Sequence, residues 1–256
     1  MRRTILIFFL VLNAIALAAI RPSRSYLYTP DKLGLAYEEC KVMTDDGVSL
    51  NLWHLPSEDE GMPVIISQSD AGNMGDWLYL GMYLQAYGLD VWMYDYRGFG
   101  ESDDFAIVRN QLFHTEFVQD LGAVTEHVCR NTGKSPALLG ISMGTIIVNE
   151  YLRSADVPVS KVVFDGYVAD PEAWIEKLAA KGKKVALPDG YKNRKYRQNY
   201  RDVLFIVAEQ DAYSSLSDIP KASKGKRLVK TFDCGHISGF FRYPDEYTAA
   251  VVGFLK

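Results

Sequence analysis

Ser142 sits in Gly140-Ile141-Ser142-Met143-Gly144, directly after the apolar run Ala137-Leu138-Leu139 and before a helix-like stretch over residues 145–152. A serine between two glycines at a strand-to-helix junction is the setting of a nucleophile. Such a turn strains the serine backbone, side chains at the flanking positions would collide with adjacent chain, and the hydroxyl stands above the sheet edge. The pentapeptide alone is weak, since average glycine usage produces one by accident in roughly a tenth of chains this long. A serine also needs a base to take its proton and an acid to orient that base, and both have candidates downstream. Residues 203–208 read as a buried parallel strand running into Glu209-Gln210-Asp211, which leaves Asp211 on the loop beyond the strand's carboxyl end. The strand-like run 227–232 leads into Asp233-Cys234-Gly235-His236, placing the last of four histidines at the same sheet edge. The expected chemistry is attack by Ser142 on an acyl carbonyl, with His236 as base and Asp211 as acid, in the chain order serine, acid, histidine.

These side chains need a sheet whose strands all end on one rim. Residues 37–43 and 48–54, joined by Thr44-Asp45-Asp46-Gly47, predict an antiparallel hairpin. After it, apolar strand-like runs alternate with helical patterns: helices are expected over 77–87, 116–130 and 244–255, and a strand over 161–165. That alternation predicts an α/β fold, a mostly parallel sheet covered by helices on both faces. With 256 residues, 48% of them hydrophobic, and a net charge of -4, the chain is long enough for one well-buried domain. Repeats and low-complexity tracts are absent from the sequence, so solenoids and disordered tails are set aside. Cys40, Cys129 and Cys234 are an odd number without metal-like spacing, which implies neither a disulfide framework nor a zinc site. Cys234 reads as a small buried hydrophobe, and His54, His114 and His127 as packing or surface residues.

A second motif sharpens the reading. Val91-Trp92-Met93-Tyr94-Asp95-Tyr96-Arg97-Gly98-Phe99-Gly100-Glu101-Ser102 carries the pattern D-x-R-G-x-G-x-S. With the serine pentapeptide and the order of the candidate triad, it resembles the α/β-hydrolase superfamily, in particular esterases and lipases, from about residue 37 to the end. In that family Asp95 and Arg97 are structural, and one oxyanion donor is the main-chain N–H after the nucleophile, here Met143. The second donor comes from the loop after the strand at 64–67. Ala71-Gly72-Asn73-Met74-Gly75-Asp76 is similar to an H-G-N-x-G-N loop with Ala71 in place of histidine, which implies Asn73 or Met74 as donor. Some members supply the acid one strand earlier, where Asp165 stands, so Asp165 rivals Asp211. The resemblance implies hydrolysis of a small acyl ester, with no cofactor, metal or nucleic acid; thioester or amide hydrolysis, acyl transfer, or a catalytically idle binding module are the alternatives.

Two stretches bear on location and substrate. Residues 1–25 form a leader: Arg2 and Arg3 precede an apolar stretch over 4–20 broken only by Asn13, which reads as a cleaved signal or a retained membrane anchor. The domain proper is then expected over 26–256 and outside the cytoplasm, in the periplasm or cell envelope. Where related hydrolases insert a lid, residues 169–202 form a short insert, so an open pocket is expected. The insert's stretch 177–201 is basic, with Lys177, Lys181, Lys183, Lys184, Lys192, Arg194, Lys195, Arg197 and Arg201 against Asp189. Such a cluster is either a solvated helix face or an attractor of anionic substrates or headgroups at the pocket mouth.

Overall fold

The computed structural model describes residues 19–59, 61–154, 159–192, 202–220 and 225–256. Its strands are β1 (Arg21–Pro22), β2 (Glu38–Met43), β3 (Ser49–Leu55), β4 (Pro63–Ser67), β5 (Ala71–Gly72), β6 (Asp90–Tyr94), β7 (Ala137–Ile141), β8 (Val162–Asp165), β9 (Val203–Ala208) and β10 (Arg227–Phe232). The helices are α1 (Leu78–Ala86), α2 (Glu116–Thr132), α3 (Met143–Ser154), α4 (Pro171–Ala180), α5 (Gly239–Arg242) and α6 (Pro244–Leu255). Eight strands form one sheet in the order β10-β9-β8-β7-β4-β6-β3-β2. Only the β2–β3 and β3–β6 pairs are antiparallel; the remaining five are parallel. The carboxyl ends of β7, β9 and β10 therefore share one rim, as the placement of Ser142, Asp211 and His236 requires.

The central strands β4, β6, β7, β8 and β9 are buried at every position, because helices cover both faces and leave no solvated side to alternate with. Successive residues nevertheless enter different cores. Leu138 packs with α2 and α3 residues such as Phe117, Val124 and Ile147, whereas Leu139 packs with α1 and α6 residues such as Leu84 and Val251. On α2 the buried positions are Phe117, Asp120, Leu121, Val124, Thr125 and Val128, the stripe that a 3.6-residue period turns inward; Gly133, in the left-handed region, ends the helix.

Arg97 pins the loop after β6 to two other elements. It is 2% exposed and donates to Asp120 on α2 at 2.8 Å and to Asp46 in the β2–β3 turn at 2.6 and 3.0 Å. Its own main-chain N–H also reaches Asp120 at 3.0 Å. Asp95 is fully buried and ties the neighbouring segments: the Met74 N–H and Gln68 amide donate to it at 2.8 and 3.3 Å, as does the Tyr26 hydroxyl. Burial pushes the Asp95 carboxyl up to about 6 against those donors.

The expected boundary at residue 25 is corrected by what precedes Tyr26. Ile20 is fully buried in the core, and β1 pairs in parallel with β5 through Arg21↔Ala71 and Pro22↔Gly72. The Gly100 N–H donates to the Ser23 carbonyl at 2.9 Å, and the Asn73 amide donates to the Ser23 and Ser25 carbonyls at 3.3 and 2.8 Å. Residues 19–25 are a strap on the folded body: the main-chain groups of Ala19, Ile20, Arg21 and Ser23 find partners in Arg109, Asp70, Gly72 and Gly100. Residues 1–18, the bulk of the expected leader, lie outside the described residues. Among the described residues no helix is long and apolar enough to cross a membrane.

Replacing Arg97 with Met should lower the unfolding free energy by about 3–5 kcal/mol in urea titrations, because it strands the Asp120 carboxylate unpaired in the interior. A loss under about 1 kcal/mol would show that the pairing contributes little net stability.

Candidate active site

Ser142 occupies the turn from β7 into α3 with φ 51°, a left-handed conformation that a serine adopts only where its surroundings impose it. The surroundings are main chain. A Cβ on Gly144 would overlap the Ser67 carbonyl oxygen, and one on Gly140 would lie 2.8 Å from the Gly144 carbonyl oxygen. The turn is further fixed by the Ser142 N–H, which donates to the Asp165 carbonyl at 2.8 Å, and by Thr145, whose N–H and hydroxyl reach the Ser142 carbonyl at 2.9 and 2.7 Å.

The three residues expected to work together touch in series. Ser142 Oγ lies 2.8 Å from His236 Nε2, and His236 Nδ1 lies 2.6 Å from Asp211 Oδ2. The Asp211 side chain is wholly shielded while His236 is one-fifth exposed. Asp211 also accepts from the Tyr213 N–H at 2.8 Å and from the Ser214 hydroxyl. Burial alone would raise its carboxyl; the His236 contact and these donors outweigh burial and hold it below the ordinary value. The imidazole packs against both Trp174 and Tyr213, with ring centroids 5.6 and 5.8 Å away, and those two rings also contact each other at 5.4 Å. Beneath it, Gly166 leaves no room for a side chain: a Cβ there would sit 2.6 Å from His236 Cε1.

Asp165, the rival acid, is 2% exposed and accepts a hydrogen bond at 3.0 Å from the Tyr247 hydroxyl instead. Burial pushes its carboxyl up to about 6. Cys234 is buried, as expected. His54 stacks on Trp92 at 3.8 Å between centroids and contacts Asp90 at 2.7 Å, a packing role.

Ser142 and His236 open into a cavity of about 300 Å³, also lined by Ser69, Asp70 and Ala71. Asn73 does not line it. Its side chain instead accepts from the Gly75 N–H at 3.1 Å and clasps the strap, and the Met74 N–H is taken by Asp95. The expectation of Asn73 or Met74 as an oxyanion donor is therefore corrected, because the loop turns into the cavity three residues earlier than the glycine spacing suggested. Apolar walls come from Leu112, Met143, Ile146, Trp174, Leu178 and Val185. Three of these belong to the short insert, which is tied to the opposite loop by the Leu112 N–H to Ala186 carbonyl and Ala186 N–H to Asn110 carbonyl bonds, both 2.8 Å. The described part of the insert is thus one wall of the cavity.

Of the basic residues expected at the mouth, Lys183 lines the cavity. Lys177 and Lys181 are spent on the loop after Asp211: Lys177 Nζ donates to the Tyr213 carbonyl at 2.8 Å, and Lys181 Nζ sits 3.8 Å above the Tyr213 ring. Arg194, Lys195, Arg197 and Arg201 lie outside the described residues. Sequence reasoning missed Ala19 and Arg21, which line the cavity from the strap, because they abut an apolar leader and carry no motif.

A family model described as serine aminopeptidase, S33, matches residues 70–218. The chain belongs to this α/β-hydrolase family. Solved structures agree on the fold: an esterase of Pyrococcus furiosus, Pf2001, superposes with a TM-score of 0.70 at 18% identity, covering 92% of this chain and 98% of that one. An esterase of Exiguobacterium antarcticum gives 0.62 at 18% identity, over 85% and 99%. Among curated proteins, the uncharacterized protein YfhR of Escherichia coli is 26% identical over 90% of this chain and 83% of its own length. The uncharacterized membrane protein YNL320W of Saccharomyces cerevisiae is 33% identical over 32% of this chain, and the match spans only 29% of that protein. The α/β-hydrolase domain-containing protein WAV2 of Arabidopsis thaliana is 29% identical over 43% of this chain, again spanning only 35% of that protein.

The Asp165 carboxyl titrates near 6 when folded against about 4 in an unfolded chain. Its ionisation therefore costs folding stability as pH rises from about 4 through 6, and the cost is absent below both values. Asp165→Asn should gain on the order of 2–3 kcal/mol relative to wild type between pH 4 and pH 8 in urea titrations. A difference that does not change with pH would contradict the burial argument.

Proposed function

We propose that the protein is a serine hydrolase of small carboxylic esters, acting through Ser142, His236 and Asp211 and an acyl-enzyme intermediate. The observation that carries this reading is the unbroken contact from Ser142 Oγ to His236 to Asp211 at the floor of a cavity. In the first half-reaction His236 Nε2 takes the Ser142 proton as Oγ attacks the acyl carbon; the imidazolium, stabilised by Asp211, then gives that proton to the departing alkoxide. In the second, His236 deprotonates water, which attacks the acyl-enzyme, and Ser142 leaves with the proton returned. The oxyanion is held by the Met143 N–H, at the amino end of α3 where main-chain donors are free of helical partners, and by main chain of the 69–71 segment that borders Ser142.

The family's description as an aminopeptidase makes amide hydrolysis the second reading. An aminopeptidase must seat a cationic amino terminus, and here two cations, Arg21 and Lys183, line the cavity with one carboxylate, Asp70, which favours esters without a free ammonium. The apolar residues over 4–20 support a domain held at or exported across a membrane; fractionation of cells expressing the full chain, where recovery wholly in the soluble cytoplasm would count against it, tests this.

A fluorophosphonate probe should label the wild-type protein and fail to label Ser142→Ala. Turnover of a short acyl ester should fall on the order of 10⁴-fold in Asp211→Asn, and far less in Asp165→Asn. Labelling that survives loss of the Ser142 hydroxyl would end the proposal.

A further inference from the structure

Arg21 and Lys183 come to the cavity from separate parts of the chain, the strap and the segment after α4. Among the described residues neither side chain makes a hydrogen bond or ion pair. Three other cations nearby do have partners. Lys177 pairs with Asp218 at 3.6 Å and donates to the Tyr213 carbonyl, Lys181 caps the Tyr213 ring, and Arg24 pairs with Asp104 at 3.4 Å. Both unpaired cations act on one point of the wall: burial raises the Asp70 carboxyl, and Arg21, His236 and Lys183 oppose that rise. Asp70 can offset one positive charge and leaves the other over.

A largely apolar cavity with a surplus cation discriminates between ligands. A neutral acyl group entering it displaces water from the half-buried Lys183 and from the cavity side of Arg21, which is exposed at the rim, and returns no hydrogen bond, whereas an anionic group replaces that water with charge-assisted bonds. The discrimination arises as much from penalising the neutral ligand as from rewarding the charged one. We infer that the site takes short acyl esters bearing a negatively charged group, a carboxylate or a phosphate, near the scissile bond, with Arg21 and Lys183 as the residues that select it. The inference rests on the ester-hydrolase reading of Ser142, and it goes beyond that reading by naming the substrate class. A volume of about 300 Å³ is room enough for a small acyl ester.

Binding tests it without turnover. Ser142→Ala protein is titrated by calorimetry with two matched pairs: 4-nitrophenyl pentanoate against mono-4-nitrophenyl glutarate, where the anion is on the acyl side, and glycerol monobutyrate against butyrylglycerol phosphate, where it is on the alcohol side. The anionic member of at least one pair should bind at least about tenfold tighter at low ionic strength, the effect of one charge-assisted hydrogen bond, and the advantage should shrink with added salt. Arg21→Gln with Lys183→Gln should erase the advantage, and Arg21→Lys with Lys183→Arg should retain it. Equal binding within both pairs overturns the inference, as does an advantage unaltered in the glutamine variant. Turnover by the wild-type protein is read separately. Selective anion binding without hydrolysis would defeat the hydrolase reading and leave the binding assignment standing; hydrolysis with no selectivity would do the reverse.

Discussion

Main chain packed against main chain at the β7–α3 turn is the constraint on which the site depends. Gly144 lies against the Ser67 and Gln68 carbonyls at the end of β4, and Gly140 against the first turn of α3. Only at that separation can the turn be tight enough to put Ser142 at φ 51°, with its Oγ on the rim and the amino end of α3 directly behind it. Had either position carried a side chain, β4 and β7 could not pair in the observed register, Ile66↔Leu139 and Ser67↔Gly140. The 69–71 segment would then lose its place beside Ser142. The strained serine and the neighbouring loop are consequences of one close approach.

Around that turn the fold spends buried charge on holding loops rather than on chemistry. Arg97 joins three elements through Asp46 and Asp120. Asp95 gathers Tyr26, Gln68 and the Met74 N–H, and so fixes both the strap and the loop after β4. Asp165 meets Tyr247 of α6. Burial raises the Asp95, Asp120 and Asp165 carboxyls to about 6, whereas Asp211, shielded as well but given His236 and two further donors, is lowered. The contrast separates Asp211 from Asp165 on physical grounds: only the carboxylate whose surroundings favour its ionised form can steady an imidazolium.

The strap and the insert show how a cavity can be assembled from segments without motifs. Residues 19–25 enter the fold because β5 offers an open edge and Asn73, Gly72 and Gly100 offer main-chain or amide partners. The insert closes the other side through its bonds to the 110–112 loop. Each brings an apolar contact and one cation to the cavity, so its electrostatic character is set by pieces of chain about 160 residues apart in the sequence.

Composition and spacing determined the α/β class, the order of the main-sheet strands and of four covering helices, the serine at the elbow, and the histidine and aspartate at the same rim, but not the short β1, β5 and α5 or the insert's α4. Each of these follows from local rules: apolar runs bounded by turn residues form buried strands, and parallel strands must end on a common edge. The sequence favoured Asp211 and kept Asp165 as a rival, because both follow strands and only the placement of Tyr247 and His236 separates them. It misplaced the loop donor at Asn73, since two glycines offered a plausible register that the pairing of β5 with β1 displaced. It also left Arg21 in the leader and Lys183 among nine basic residues of the insert. Which cations face the cavity is decided only when distant backbone segments find hydrogen-bond partners, and such contacts between remote segments leave no period or motif in the chain.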